Sequence, residues 1–405
     1  MDHAAQIRQM LGGLLRASRT TSLEHLPELL AEHAAGAGLQ QPVIFVSDIQ
    51  QQVLRQLTGR GQNAGAGGAE LTVDGTLAGR AYQRVEVVPD PVGEAPGGKR
   101  WWIPVTDGVV RMGVLRVDTA TPDEETLAAA RDLAALTALL LVSRQSFSDS
   151  YARLIRTAPM GVGAEMDWQV TPPPAYAGDG VAVSAVMEPA YDVSGDAFDF
   201  AVCGPLVHLA IFDAMGHDTA AGITAGLAVA ACRCARRRDA PLTEVVAAVD
   251  AAVLEQFAAT RFVTGIIAEL NAETGRLSWV NSGHHPPVVV REGRWPTELS
   301  CPPAAPLGMG LGMDLAAVVC HEQLQPGDRL LFFTDGIIEA RDADGREFGL
   351  ERLVDELLRH CSCGLGLHET LRRLARAVID QRRLTDDATA LLVEWHGRAE
   401  ETLVV

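Results

Sequence analysis

Four aspartates occupy positions from which a folded chain can bring acids together: Asp196 in SGDAFDF, Asp213 in FDAMGHD, Asp335 in FFTDGIIEA and Asp386 in TDDATALLV. Each lies where an apolar, strand-like run meets a short turn, so side chains far apart in sequence can converge at the ends of neighbouring strands. Convergence of like charges is costly. Two carboxylates about 4 Å apart repel by roughly 4 kcal/mol at an effective dielectric of about 20. Four together therefore call for protons or divalent cations. An all-oxygen donor set suits Mg²⁺ or Mn²⁺ rather than zinc. Such ions acidify bound water, which removes the need for a side-chain nucleophile. In agreement, the chain has no GxSxG, and none of its cysteines falls in a phosphate-cradling loop.

The neighbours of these acids refine the picture. His217, after Gly216, is placed to give a proton to a leaving oxygen or to orient a phosphate; the alternative is a histidine packed at a helix start. Asp218 can cap the following helix but adds negative charge beside a phosphate site. Asp386 and Asp387 share one turn, and residue type alone leaves open which of them is the ligand. His284 and His285 are adjacent, so on a strand they face opposite ways and read as hairpin residues rather than a zinc pair. Asp199 reads as support for the acid cluster or simply the start of a strand. Arg233 and Arg236–Arg238 are cations at a helix C-terminus, expected there on electrostatic grounds and otherwise a landing site for an acidic partner. Gly36-Ala37-Gly38 follows a helix, and Gly97-Gly98-Lys99-Arg100 lacks a hydroxyl residue after the lysine. Neither is a nucleotide-binding loop.

The elements that must hold these residues come in two blocks. Residues 1–40 are helical in pattern and PVIFVSDI is a strand, while the glycine-rich stretch at 61–70 is a loop. RWWIPVTDG and RMGVLRVD form a strand pair turning at Asp107-Gly108. A helix begins at Thr121, with Pro122 in its first turn and Glu124 completing a capping box. Its apolar face continues toward RQSFSDSYARLIRTAPM, a helical connector. TPPPAYAGDG marks a boundary, after which strands lead to helices at about 218–238 and 242–259. More strands follow, then helices at about 349–359 and 367–381, and ATALLVEW closes the block as a strand.

The first block, over about residues 15–145, is similar to a GAF sensor domain in its element order and in its LAGRAY and WWIPV–GVLRV segments. From about 176 to 397 the chain resembles the PP2C-like phosphatases of the SpoIIE/RsbU type. That resemblance rests on PAYDVSGDAFD, FDAMGHD, FVTGIIAELNAETGRLSWVNSGHHPP, PLGMG, GDRLLFFTDGIIEARDADGREFG and TDDATALLV in the family's order. It implies an α+β protein with a GAF-like α/β sensor domain at 1–145 and a helical connector at 146–175. A PP2C-like α-β-β-α sandwich at 176–397 and a tail at 398–405 complete it. It further implies two Mn²⁺ or Mg²⁺ ions, with Asp213 bridging them and Asp335 and Asp386 completing one. Asp196 and the carbonyl of Ala214 serve the other, and His217 assists. The family often has glycine at the position of Ala214, which a carbonyl ligand does not require, and glycine where Asp218 stands. Some PP2C enzymes carry a phosphate-binding arginine before the first motif. VMEPAYDVSG has none, so the metals would hold the phosphate. The implied substrate is a phosphorylated, STAS-like anti-sigma-factor antagonist, with a small-molecule or protein signal acting at the sensor. The competing reading is a pseudophosphatase that binds without turnover, and the presence of all four aspartates speaks against it.

Bulk properties fit this frame. A chain of 405 residues exceeds one core, and 47% hydrophobic with 21% charged residues is ordinary globular composition. A net charge of −18 argues against nucleic acid or an anionic membrane as partner. MDHAAQIRQM lacks a signal pattern, and the apolar runs near Leu133–Val142 and Ile223–Ala231 are short for a bilayer, so a cytoplasmic location is expected. The seven cysteines, all after residue 200, are expected as free thiols. The apolar stripe of the connector predicts a homodimer.

Overall fold

Alternating apolar runs in the first block assemble into a single antiparallel sheet, seen in a computed structural model that describes residues 3–95, 98–120, 123–178, 180–311, 317–379, 384 and 386–397. The chain divides into two units, Met1–Pro159 and Met160–Val405. The first begins with α1 (His3–Ala17) and α2 (Leu26–Ala34), then β1 (Leu39–Ser47), β2 (Val53–Gln56) and β3 (Glu70–Thr72). It continues through α3 (Leu77–Arg84), β4 (Val88–Ala95), β5 (Gly98–Asp107), β6 (Val110–Thr119), α4 (Glu124–Gln145) and α5 (Asp149–Leu154). The sheet order is β3-β2-β1-β6-β5-β4. Ile44, Val46, Ile103 and Val105 face the helical side and pack with Leu14, Leu26, Leu30, Leu133 and Leu141. The opposite face puts Phe45, Trp102 and Val114 against Ala78 and Tyr82 of α3.

The β5–β6 hairpin closes at Asp107↔Val110 around Gly108, whose φ of +56° suits glycine. Thr121 and Pro122 lie outside the described residues, so the predicted capping box is not visible. Asp123 caps α4 instead, accepting the Thr126 amide at 2.7 Å. By length and composition α4 is apolar enough to cross a membrane, yet 56% of its most apolar window is buried within the unit.

The second unit begins with α6 (Val162–Val170), β7 (Ala175–Gly178), β8 (Val181–Glu188), β9 (Asp196–Cys203) and β10 (Leu206–Ala214). Next come α7 (Thr219–Arg236), α8 (Leu242–Phe257), β11 (Val263–Asn271), β12 (Arg276–Ser282), β13 (Val288–Arg291), β14 (Trp295–Glu298) and β15 (Cys320–Gln323). It ends with β16 (Asp328–Phe333), α9 (Asp335–Glu339), α10 (Gly349–Ser362), α11 (Leu367–Ile379) and β17 (Ala388–Trp395). One sheet runs β15-β12-β11-β10-β9 and the other β14-β13-β16-β17-β8-β7. Phe198, Leu209, Ile211 and Ile266 of the first meet Val183, Leu330, Phe332 and Leu391 of the second in a dry middle layer. The outer face of the first sheet packs on α7 and α8 through Phe212, Ala225, Val229 and Val249. That of the second packs on α10 and α11 through Leu331, Leu353, Leu357 and Leu371. The result is the expected α-β-β-α sandwich.

Two expectations need correction. The segment read as one helical connector, 146–175, is two short helices allotted to different units. Tyr151 and Leu154 of α5 join the first unit's core, whereas α6 belongs to the second. Nor are all the cysteines free: Cys301 and Cys320 form a disulfide. Cys320 pairs with Trp279 on β12, and Cys301 belongs to the same inter-sheet core. Residues 19 apart in sequence are thereby brought to a Cα separation of 5.8 Å, within bonding geometry. Cys203, Cys232, Cys234, Cys361 and Cys363 are free, as expected.

Candidate active site

Strand register sets the centre of the site. In the β9–β10 ladder Asp213 lies directly opposite Asp196, and on its other side opposite Thr264 of β11. Directly opposed residues share a sheet face, so two carboxylates so placed repel unless a proton or cation intervenes. The second sheet contributes its acids from adjoining strands. Asp335 opens α9 just beyond the end of β16, and Asp386-Asp387 immediately precede β17. β16 and β17 are paired from Asp328↔Trp395 to Phe333↔Ala390, which brings these two acid-bearing ends together.

The electrostatics follow from this convergence. Burial pushes the Asp213 carboxyl up to about 7, and Asp335, Asp386 and Asp387 push it in the same direction. Burial raises Asp387 to about 6, helped by Asp386 and opposed by the Gly195 amide and by His217. Asp196 is fully buried and held well above the usual carboxylate range, first by desolvation and then by Asp213. Acids from four separate segments therefore feel one another.

A hydrogen-bond frame holds them in place. The Thr334 hydroxyl donates to Asp196 Oδ2 at 2.6 Å and accepts the Thr389 amide at 2.9 Å, joining the ends of β9, β16 and β17. In the turn before β9, the Gly195 amide donates to Asp387 Oδ2 at 2.5 Å and the Asp196 amide to Ser194 Oγ at 3.0 Å. A methyl on Gly195 would stand 2.4 Å from the Gly216 carbonyl oxygen and 2.8 Å from that of Ala214, so this approach requires glycine. The buried Ala214 thus presents its carbonyl beside the Asp196 turn.

The other sequence candidates also find places. His217 is exposed on the loop after β10 and faces Asp387 electrostatically. Asp218 caps α7, accepting the Ala221 amide at 2.8 Å, and its second oxygen pairs with Arg261 at 2.9 Å. That bond, with Arg261 Nη1 donating to the Met215 carbonyl at 3.1 Å, offsets the extra charge on the loop. His284 is buried and bonded to Thr264 Oγ1 and the Phe333 carbonyl, while His285 stacks on Phe333. Asp199 is buried and ion-paired with Arg233 at 2.7 Å and with Arg236, so it supports the sheet–helix packing and absorbs part of the basic helix end.

Thr334, Arg261 and Asp167, which accepts the Ser194 amide, escaped the sequence reading. The threonines beside the acids in FFTDG and DDAT were the available signal for the first.

The donors fit hard divalent cations: they are oxygens, they run from buried Asp196 through half-buried Asp213 and Asp335 to exposed Asp386, and they repel one another in a way that a dication relieves. Among the described residues no group of three or more His, Cys, Asp or Glu side chains stands at the spacing of a closed metal shell.

A stability prediction follows. Native Asp213 titrates near 7 and its unfolded counterpart near 3.8, so between those values the folded chain binds more protons and loses stability as pH rises. In EDTA at pH 8, Asp213→Asn should be more stable than the native chain, by up to about 4 kcal/mol, with the gap closing toward pH 4. Urea midpoints measured across that range test this. A variant no more stable than the native chain at pH 8 would show that Asp213 bears no such repulsion.

Residues 204–396 match the family Stage II sporulation protein E (SpoIIE), a span that includes Asp213, Asp335 and Asp386 and begins after Asp196. Phosphoserine phosphatase RsbU of Bacillus subtilis is 23% identical over 177 residues, 43% of this chain and 52% of that protein. Protein IcfG of Synechocystis sp. is 26% identical over 133 residues, 33% of this chain and 20% of that protein. The chain thus spans a fifth to about half of the length of these relatives. The RsbU and RsbW domains of Rv1364c from Mycobacterium tuberculosis superpose with a TM-score of 0.49 at 23% identity, covering 54% of this chain and 62% of that one.

Proposed function

We propose, from the premise that residues 204–396 belong to the SpoIIE family of PP2C-type phosphatases, that this chain hydrolyses phosphoserine or phosphothreonine in a protein, dependent on two Mn²⁺ or Mg²⁺ ions. The carrying observation is the mutual repulsion of Asp196, Asp213, Asp335, Asp386 and Asp387 at the end of the sandwich. Asp213, with Asp335 and Asp386, would hold one ion, and Asp213, Asp196 and the Ala214 carbonyl the other. Bound there, the ions would supply positive charge for the phosphoryl oxygens and acidify water. In the reaction a water oxygen bonds to phosphorus as the bond from phosphorus to the serine oxygen breaks. Exposed His217 is placed to hand that leaving oxygen its proton. Asp387 keeps the Asp196 turn closed, and Arg261 keeps Asp218 turned away from the entering phosphate.

The substrate we assign is a phosphorylated, STAS-like anti-sigma-factor antagonist. The first unit acts as a GAF-like sensor of a small molecule or protein, in a cytoplasmic homodimer. Support for the substrate class comes from the family match and from RsbU as a relative, and the sensor reading rests on the element order of the first unit. The test is phosphate release from a phosphoserine peptide in Mn²⁺ and again after chelation. Release that requires the metal is the expected result. Peptide binding with no release in either condition would instead establish a binding module.

A further inference from the structure

The turn that delivers Asp196 is fixed at three consecutive backbone amides, and their acceptors come from three different places. The Asp196 amide is held within the turn by Ser194 Oγ, and the Gly195 amide by Asp387 at the entry to β17. The Ser194 amide is held by Asp167 Oδ2 at 3.0 Å, and Asp167 lies on α6, the first helix after the division between the two units. Two of the three anchors are internal to the sandwich. The third sits on a short helix that adds no strand.

Other contacts of α6 point to the same loop. The Gly161 amide donates to the Tyr191 carbonyl at 3.0 Å, and Trp168 Nε1 donates to the Ala190 carbonyl at 2.9 Å. Gly163 lies so close to Val193 that a methyl would meet its Cβ at 2.4 Å. On the far side Gly222 of α7 leaves room for Asp167, since a methyl there would stand 2.9 Å from Asp167 Oδ1. The Asp167 carboxyl is buried, an expensive location for an acid on a nine-residue helix unless it has work at the Ser194 amide.

We infer that Asp167 is a positioning residue through which α6 sets the metal affinity of the site, by holding Ser194 and hence the orientation of Asp196. This rests on the metal-dependent reading above and adds its regulation. α6 begins at Val162, three residues after Pro159, so a signal that displaces this helix loosens the Asp196 turn without touching the sandwich core. Groups that hold a ligand in place commonly change metal affinity about 10- to 100-fold when removed.

The test uses the full chain and reads metal binding directly. Calorimetric titration with Mn²⁺ should show Asp167→Ala binding at least about 10-fold more weakly than the native chain. Asp167→Asn, which keeps an oxygen acceptor for Ser194, should stay within about threefold. Gly163→Ala keeps the carboxyl but forces α6 away from Val193, and it should weaken Mn²⁺ as Asp167→Ala does. Hydrolysis of a phosphoserine peptide should need correspondingly more Mn²⁺ for its half-maximal rate, with the rate at saturating Mn²⁺ little changed. A merely structural Asp167 would lower the melting temperature in EDTA and leave the Mn²⁺ affinity alone. Native-like Mn²⁺ binding by Asp167→Ala, or by Gly163→Ala if the former does not fold, would overturn the inference while the phosphatase reading stands. A native chain that binds no Mn²⁺ would overturn both.

Discussion

Asp213→Asn should release phosphate from a phosphoserine peptide at least about a thousandfold more slowly than the native chain in saturating Mn²⁺. The substitution preserves shape and one oxygen, so the β9–β10 ladder on which Asp213 faces Asp196 should form unchanged. What it removes is a negative charge opposed by burial and then by its neighbours Asp335, Asp386 and Asp387. In the proposed centre that charge is shared between two ions, so its loss weakens both. A thousandfold corresponds to about 4 kcal/mol of transition-state stabilisation, a modest share of what a dinuclear site supplies. The same variant is expected to be more stable than the native chain in EDTA at pH 8. Loss of activity through misfolding would reverse that sign, so the two measurements together separate chemistry from collapse. A variant that hydrolyses the peptide within tenfold of the native rate would show that Asp213 is not the bridging group.

The acids were legible because each one interrupts an apolar run. Asp213 directly follows the apolar run 209–212, and Asp335 follows the run 330–333 with only Thr334 between, a pattern that predicts a strand end with a polar side chain. The sandwich was legible for the same reason, since its strands alternate or run apolar between turn residues. What stayed hidden depends on pairing across long sequence distances. Thr334 looks like one more strand residue until β9 and β17 are brought to either side of it. Asp167 sits in a stretch whose pattern gives no reason to bury an acid, and only docking of α6 on the Ser194 turn gives it a partner. Cys301 and Cys320 read as spare thiols because nothing in a spacing of 19 residues announces that β15 will pair with β12 beside the Cys301 segment. The connector failed differently. The chain from Ile155 to Gly161 leaves the helical path, so α5 packs in the first unit's core while α6 belongs to the second unit.

Glycines separate the two kinds of constraint at this site. In FFTDG the Asp-Gly pair invites a hairpin reading, because glycine there would supply a positive φ. Gly336 has no such φ; it lies in the first turn of α9. Its requirement is space. A methyl on Gly336 would stand 1.9 Å from the Asp387 carbonyl oxygen and 3.1 Å from that of Asp386. The backbone that carries Asp335 is thus pressed directly against the backbone that carries Asp386, and their two carboxylates converge because nothing larger than hydrogen lies between the chains.

Gly336→Ala should therefore damage fold and metal site together. Backbone on both sides is fixed, by the β16–β17 ladder and by the Thr334 amide donating to the Thr389 carbonyl at 3.0 Å, so neither can swing aside as a flexible side chain would. Overpacking of this kind costs about 3 kcal/mol or more where backbone must move, and the movement separates Asp335 from Asp386. Urea unfolding should show the loss of stability, and Mn²⁺ titration of whatever remains folded should show weakened binding. Gly226→Ala is the matched control. Its added methyl, on an interior turn of α7, would meet nothing nearer than Val170 Cγ2 at 4.0 Å, so it should be neutral or stabilise by up to about 1 kcal/mol through helix propensity. If Gly336→Ala were as stable as that control and bound Mn²⁺ like the native chain, the close approach of the Asp335 and Asp386 segments would have no part in assembling the site.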